Sequence, residues 1–87
     1  MIGLASALDR KGKIKEAIEM YGNVLEIDPN VASVYVSLGN ALFKEGKIDE
    51  AARNYRRALT IEPKLEAAKN NLTAAIREKE KRNERNE

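Results

Sequence analysis

The sequence predicts an all-α fold made of repeated pairs of antiparallel helices. The chain of 87 residues matches itself, without a gap, when it is shifted by 34 positions. Within each unit the apolar residues recur at intervals of three and four, which is the spacing of one helix face. No segment alternates between apolar and polar residues with the period of two that marks a strand. Between the first and second units this register gives twelve identities, which are Leu4 with Leu38, Ala7 with Ala41, Leu8 with Leu42, Gly12 with Gly46, Lys13 with Lys47, Ile14 with Ile48, Glu16 with Glu50, Ala17 with Ala51, Tyr21 with Tyr55, Leu25 with Leu59, Ile27 with Ile61 and Pro29 with Pro63.

Five helices are expected, and the residues at their ends indicate where they stop. Gly46 ends the third helix, because glycine adopts the left-handed conformation without a steric penalty. Pro63 follows the fourth helix, because proline cannot donate the next backbone hydrogen bond. Asn30 is expected to cap the third helix through its side-chain oxygen. The helices are expected over about 1–11, 14–27, 31–44, 48–61 and 65–82.

Residue size along these helices indicates how they pack. Gly39 lies where the two helices of one hairpin must approach closely, and Ala58 does the same on the partner helix. These small residues leave room for Tyr55, which we expect to wedge between neighbouring hairpins. On the last helix the side chains expected to face inward are Leu72, Ala75 and Ile76.

The composition excludes most catalytic and metal chemistry. The chain has no cysteine and no histidine, which rules out disulfides, thiolate or histidine metal sites, and Ser-His-Asp or Cys-His catalysis. We therefore expect neither an enzyme nor a bound cofactor. The net charge of +2 is too small to indicate a nucleic-acid or membrane partner, and no apolar run approaches the ~20 residues of a membrane span. We expect a soluble, cytoplasmic protein.

The repeat resembles the tetratricopeptide repeat family. The family pattern is Trp-x2-Leu-Gly-x2-Tyr, then Ala-x3-Phe, then Pro. The complete unit of this chain reads Tyr35-x2-Leu38-Gly39-x2-Leu42, then Ala51-x3-Tyr55, then Pro63. The resemblance implies an α-solenoid, in which hairpins stack into a right-handed superhelix and the first helix of each unit lines a concave groove. It also implies a scaffold that binds a protein or peptide partner without catalysis.

The resemblance divides the single domain of residues 1–87 into two repeats and a capping helix. The family's unit would begin ahead of Met1, so the first repeat is expected to be short and the outer side of its hairpin uncovered. Two alternatives to ligand binding stay open: weak self-association through this hairpin, and an excised or engineered array without a natural ligand. The segments are repeat 1 over 1–31, repeat 2 over 32–65, the capping helix over 66–82 and a charged tail over 83–87.

The groove implied by the resemblance is mixed in character. Phe43 is the single phenylalanine of the chain. It is interpreted either as an anchor for an apolar side chain of a ligand or as ordinary packing. With Ile2 and Val36 it would form an apolar strip. The expected groove residues are Ile2, Ser6, Ser33, Val36, Asn40, Phe43, Lys44, Asn70, Asn71 and Arg77.

Two more specific sites are conceivable, and neither is favoured. Some family members hold a C-terminal carboxylate with Lys, Asn and Arg side chains, and Asn40 and Asn71 match the two Asn places. Val36 stands where the first Lys would be, and amides without cations hold a carboxylate poorly. The outer helix carries an arginine cluster that indicates either a phosphate or acidic partner or a solvated face, namely Arg53, Arg56 and Arg57.

Overall fold

The computed structural model describes residues 12–85, with side chains as far as Asn83, and folds them into four α-helices. About 82% of this range is helical, and it contains no strand. The all-α prediction is therefore confirmed. The predicted helix over 1–11 lies outside the described residues. The helices are α1 (Ile14–Ile27), α2 (Ala32–Lys44), α3 (Ile48–Ile61) and α4 (Glu66–Arg85).

The helix ends follow the expected turn chemistry in one case and depart from it in another. Gly46 has φ of +83°, which confirms the left-handed stop after α2. The prediction that Asn30 caps α2 is wrong, because Val31 is the N-cap and no side chain bonds there. Instead, the backbone N–H of Asn30 donates to Oδ1 of Asp28 at 3.1 Å. This Asx turn places Asn30 one residue too early to cap the helix.

The core is centred on α2, which packs against both α1 and α3. Tyr21 of α1 and Tyr55 of α3 are almost completely buried, at 1% and 2% exposed. Alanines surround these rings, and Ala17 and Ala58 have no exposed surface at all. Large rings against small residues let the helices pack closely, and Tyr55 is buried as the sequence predicts.

The last helix differs from the prediction in one of its three inward positions. Ala75 is fully buried and Leu72 is half-buried against the core. Ile76, however, is 40% exposed, so its predicted inward orientation is wrong. The reason is that α4 packs mainly on α3, and no further helix within residues 12–85 lies beyond it.

Helix α4 also extends three residues beyond its predicted end at residue 82. Side chains in its second half contact the α2–α3 hairpin. Lys79 Nζ lies 2.7 Å from Oδ1 of Asp49, at the start of α3. Arg82 donates from Nη1 to the carbonyl oxygen of Gly46 at 3.1 Å, and its Nε lies 3.2 Å from Oε1 of Glu78. These contacts join the polar second half of α4 to the α2–α3 hairpin, although no apolar stripe runs along it.

Candidate functional site

The structure brings Asn40 and Asn71, two of the predicted groove residues, into direct contact. Asn71 of α4 donates from Nδ2 to Oδ1 of Asn40 on α2 at 2.9 Å. The hydroxyl of Tyr55 on α3 donates to the same oxygen at 2.6 Å. One amide oxygen therefore joins three helices, and it accepts two hydrogen bonds with its two lone pairs.

The network leaves one polar group of each amide available at the surface. Among residues 12–83, the Nδ2 of Asn40 and the Oδ1 of Asn71 have no hydrogen-bond partner. Burial raises the pKa of Tyr55 to about 12, so its hydroxyl remains a donor throughout the physiological pH range. The donor then fixes the carboxamide of Asn40, with its Nδ2 pointing away from the tyrosine.

The other predicted groove residues that the structure describes are buried, half-buried or exposed. Val36 is only 9% exposed and packs in the same cluster as Ala68 of α4, so the predicted apolar strip loses that member. Phe43 is half-buried against this cluster, which favours its interpretation as packing. Ile2 and Ser6 lie outside the described residues. The exposed members are Ser33, Lys44, Asn70 and Arg77.

Sequence reasoning missed the Tyr55–Asn40–Asn71 network, although a signal for it exists. It placed Asn40 in the groove and Tyr55 in the core as unrelated residues. The close approach of Tyr55 to the backbone of α2 requires a glycine at position 39. The next residue along α2 is Asn40. A buried tyrosine hydroxyl needs an acceptor, and Asn40 is the polar side chain adjacent to the close approach.

The arginine cluster lies on the exposed face of α3. The guanidinium carbon of Arg57 lies 5.8 Å from the ring centroid of Tyr35, which is within the range of a cation–π contact. Tyr35 in turn donates its hydroxyl to the carbonyl oxygen of Pro29 at 2.9 Å. Arg57 therefore has a structural role on the α2–α3 hairpin, whereas Arg53 and Arg56 have no ion-pair partner within residues 12–83.

A second concave surface, which sequence reasoning also missed, lies between α3 and α4. We call it the α3–α4 groove. Its floor is apolar, and Arg53 and Arg56 stand on its α3 side. The lining residues are Ile48, Asp49, Ala52, Arg53 and Arg56 from α3, and Ala75, Ile76, Lys79, Glu80 and Asn83 from α4.

Two general properties hold for the part of the chain that the structure describes. No group of three or more carboxylate, thiol or imidazole side chains is arranged to hold a metal ion. None of the four helices combines the length and the apolar character that crossing a membrane requires.

Comparison with known protein families identifies two matching segments of the chain. A family profile described as "TPR repeat" matches residues 6–46, and a second, described as "Tetratricopeptide repeat", matches residues 32–65. The second match covers α2 and α3 together with the loop that contains Pro63. No curated protein sequence matches the chain significantly. The chain belongs to the tetratricopeptide repeat family, whose repeats generally mediate protein–protein interactions and are typically non-catalytic.

Proposed function

We propose that this chain is a non-enzymatic module that binds a protein or peptide partner along the surface formed by α2 and α4. The observation that carries the proposal is the hydrogen bond between Asn40 and Asn71, which joins the two helices across their polar faces. Exposed Ser33 and Asn70 extend the same polar character along α2 and α4. The family's general role in protein–protein interaction supports this assignment.

The chemistry of this surface favours an extended peptide backbone. The Nδ2 of Asn40 is a donor and the Oδ1 of Asn71 is an acceptor, and a peptide group offers the matching acceptor and donor. A C-terminal carboxylate is a poor ligand, because Val36 is buried and supplies no cation at the corresponding position. Arg77 is exposed and favours an acidic residue elsewhere in the ligand.

The experiment is a selection of random peptides displayed on phage against the immobilised chain. Selected peptides are then synthesised, and their affinities are measured for the wild-type chain and for two variants of the α2–α4 surface, Ser33→Glu and Asn70→Glu. Thr60→Glu is the matched control, because it introduces the same charge beside Arg57 on α3. We expect both surface variants to weaken binding by about tenfold or more, and the control to leave it unchanged.

Two results would contradict the proposal. One is the failure of any peptide sequence to become enriched. The other is a set of enriched peptides whose affinity falls with Thr60→Glu but not with Ser33→Glu or Asn70→Glu. That second pattern would move the binding surface to the exposed face of α3.

A further inference from the structure

The exposed side of α3 carries an open depression that we call the arginine surface. Three of its six described lining residues are arginines, and none of the six is acidic. The arginine surface shares no residue with the α2–α4 surface of the proposed function. Its lining residues are Tyr35 of α2 and Arg53, Asn54, Arg56, Arg57 and Thr60 of α3.

The positive charge of the arginine surface is not neutralised by the residues around it. Arg53 and Arg56 are exposed and form no ion pair within residues 12–83. Asp49 lies one turn before Arg53 on α3, but Lys79 contacts its carboxylate at 2.7 Å. Lys79, and to a smaller extent Arg53, hold the pKa of that carboxyl below its usual range. The guanidinium groups of Arg53 and Arg56 therefore remain available to an anion.

Arg57 borders the same surface with its guanidinium group held in place. Its guanidinium carbon lies over the ring of Tyr35, 5.8 Å from the centroid. That ring is itself fixed, because it is 8% exposed and its hydroxyl donates to the carbonyl oxygen of Pro29. A guanidinium over an aromatic ring keeps its N–H edge available for hydrogen bonds. Arg57 consequently loses less side-chain freedom than an unrestrained arginine when it binds an anion.

The exposure of these positions is a property of the repeat and does not depend on the neighbouring repeat. Glu19 and Asn23 are exposed in α1, although the complete α2–α3 hairpin follows them. Helices α1 and α3 make no close contact, so neither covers the outer face of the other. The cluster is confined to one repeat, because the residues equivalent to Arg53, Arg56 and Arg57 are Glu19, Gly22 and Asn23.

This arrangement favours a phosphate monoester over a carboxylate. Positions three and four apart lie next to each other on a helix surface, which brings the side chains of Arg53, Arg56 and Arg57 together. A phosphate monoester carries up to two negative charges and three acceptor oxygens, so it can bind more than one guanidinium group. A carboxylate has one charge and is satisfied by one of them.

The same observations disfavour a nucleic acid or a membrane. A nucleic acid presents phosphates along its whole length, whereas the cations of the arginine surface do not continue onto α1. Tyr35, its single aromatic residue, is buried and cannot stack on a base. The surface also lacks an exposed apolar side chain that would enter a lipid layer.

We propose that the arginine surface binds a phosphorylated side chain of a partner protein, with Arg53 and Arg56 as the principal ligands of the phosphate and Arg57 at its border. Recognition of phosphorylated segments by arginine clusters is an established mode of peptide binding. The site is independent of the α2–α4 surface, whose proposed ligand needs no phosphate.

The test is a selection from a library of peptides that carry a central phosphoserine between randomised positions, against the immobilised full chain. Enriched peptides are synthesised with phosphoserine, aspartate or serine at the central position. We expect the phosphoserine form to bind at least about tenfold more tightly than the aspartate form, and the serine form to bind more weakly still. In nuclear magnetic resonance spectra, the phosphoserine peptide should shift the Nε–H signals of Arg53 and Arg56.

Variants of the chain locate the site. R53Q combined with R56Q should weaken the phosphoserine peptide by about tenfold or more. Thr60→Glu, which adds a negative charge to the arginine surface, should weaken it as well. K64Q combined with K69Q is the matched control, because it removes the same charge from exposed positions outside the surface, and it should leave the affinity unchanged. Circular dichroism checks that each variant remains helical.

Ser33→Glu should also leave the phosphoserine peptide unaffected, since it lies on the α2–α4 surface. Failure of this proposal and failure of the proposed function are therefore distinguishable.

Several outcomes would overturn the proposal. One is that no peptide becomes enriched, and another is that the phosphoserine and serine forms bind equally. A phosphoserine peptide that is insensitive to R53Q with R56Q binds elsewhere on the chain. Inorganic phosphate that binds as tightly as the enriched peptides would assign the surface to a free anion. Tighter binding of oligothymidylate, or of vesicles that contain a phosphoinositide, would assign it to a nucleic acid or a lipid headgroup.

Discussion

The ring of Tyr55 lies directly against the backbone of Gly39. A Cβ atom built on Gly39 would be 2.5 Å from Cε1 and 2.8 Å from Cδ1 of that ring. The ring is 2% exposed, and its hydroxyl is bonded to Asn40. It therefore has little freedom to move away. A glycine in the middle of a helix costs roughly 1 kcal/mol relative to alanine, but the ring of Tyr55 leaves no room for a Cβ at this position.

Gly39 and Gly22, the two helical glycines within residues 12–85, are accordingly expected to respond in opposite directions to substitution by alanine. Gly39→Ala should lower the free energy of unfolding by at least about 1 kcal/mol, because the clash with Tyr55 exceeds the gain in helix propensity. Gly22→Ala in α1 should raise it by about 0.5–1 kcal/mol, since nothing lies within 4 Å of the added Cβ. Urea denaturation of both variants measures the difference. Equal effects would mean that the Tyr55 ring yields without cost.

This contact also shows how much of the fold the sequence predicts. The register and the helical stripes predict α1 and α3 to the residue, because apolar periodicity and turn residues are local signals. They also predict that Tyr55 is buried, although as a wedge between neighbouring hairpins, whereas its ring lies against Gly39 of its own hairpin. The orientation of Ile76 is predicted wrongly, because its exposure depends on contacts beyond its own helix that periodicity does not encode. The Tyr55–Asn40–Asn71 network is not predicted for a similar reason, since it joins three helices through side-chain geometry that no spacing rule encodes.

Truncation of the Tyr55 side chain tests the core directly. Tyr55→Ala should lower the free energy of unfolding by about 3–5 kcal/mol, as expected when a large buried aromatic is removed. A domain of this size has little stability in reserve, so much of the population should unfold. Arg56→Ala on the next position is the control and should change stability by no more than about 0.5 kcal/mol. Thermal denaturation followed by circular dichroism distinguishes the two, and similar losses would invalidate the assigned core face.

The raised pKa of Tyr55 predicts a loss of stability at alkaline pH. Because burial holds the pKa at about 12 in the folded chain, against 10.0 in the unfolded chain, the folded form retains the proton more strongly. The stability that this difference in pKa contributes is complete below pH 10, and it is lost as the pH rises from 10 to about 12. A difference of two between these pKa values corresponds to about 2–3 kcal/mol.

The matched variant for this effect is Tyr55→Phe, which keeps the ring and removes the ionisable group. Its unfolding free energy should be lower at neutral pH by about 1 kcal/mol for the lost hydrogen bond. Between pH 10 and 12 it should fall less steeply than that of the wild type. Denaturation curves at a series of pH values measure both slopes, and parallel slopes would show that other groups cause the alkaline loss.

Asn40 is expected to matter more for stability than Asn71, although both belong to the proposed binding surface. Asn40→Ala removes the acceptor of the Tyr55 hydroxyl and leaves that buried group without a partner, at a cost of about 1–3 kcal/mol. Asn71→Ala removes one donor at a partly exposed position and leaves the Tyr55–Asn40 bond intact, so its cost should stay below about 1 kcal/mol.

A double-mutant cycle isolates the cause. In the Tyr55→Phe background no hydroxyl remains to be orphaned, so Asn40→Ala should cost at least about 1 kcal/mol less than it does in the wild type. Asn71→Ala should cost nearly the same in both backgrounds, because its bond runs to Asn40 and not to Tyr55. Urea denaturation of the six chains at neutral pH provides the numbers. Additive costs for Asn40 and Tyr55 would mean that the 2.6 Å hydrogen bond contributes nothing to the folded state. In that case Asn40→Ala would test ligand binding without a loss of stability through Tyr55. With the hydrogen bond in place, the substitution changes stability as well as binding.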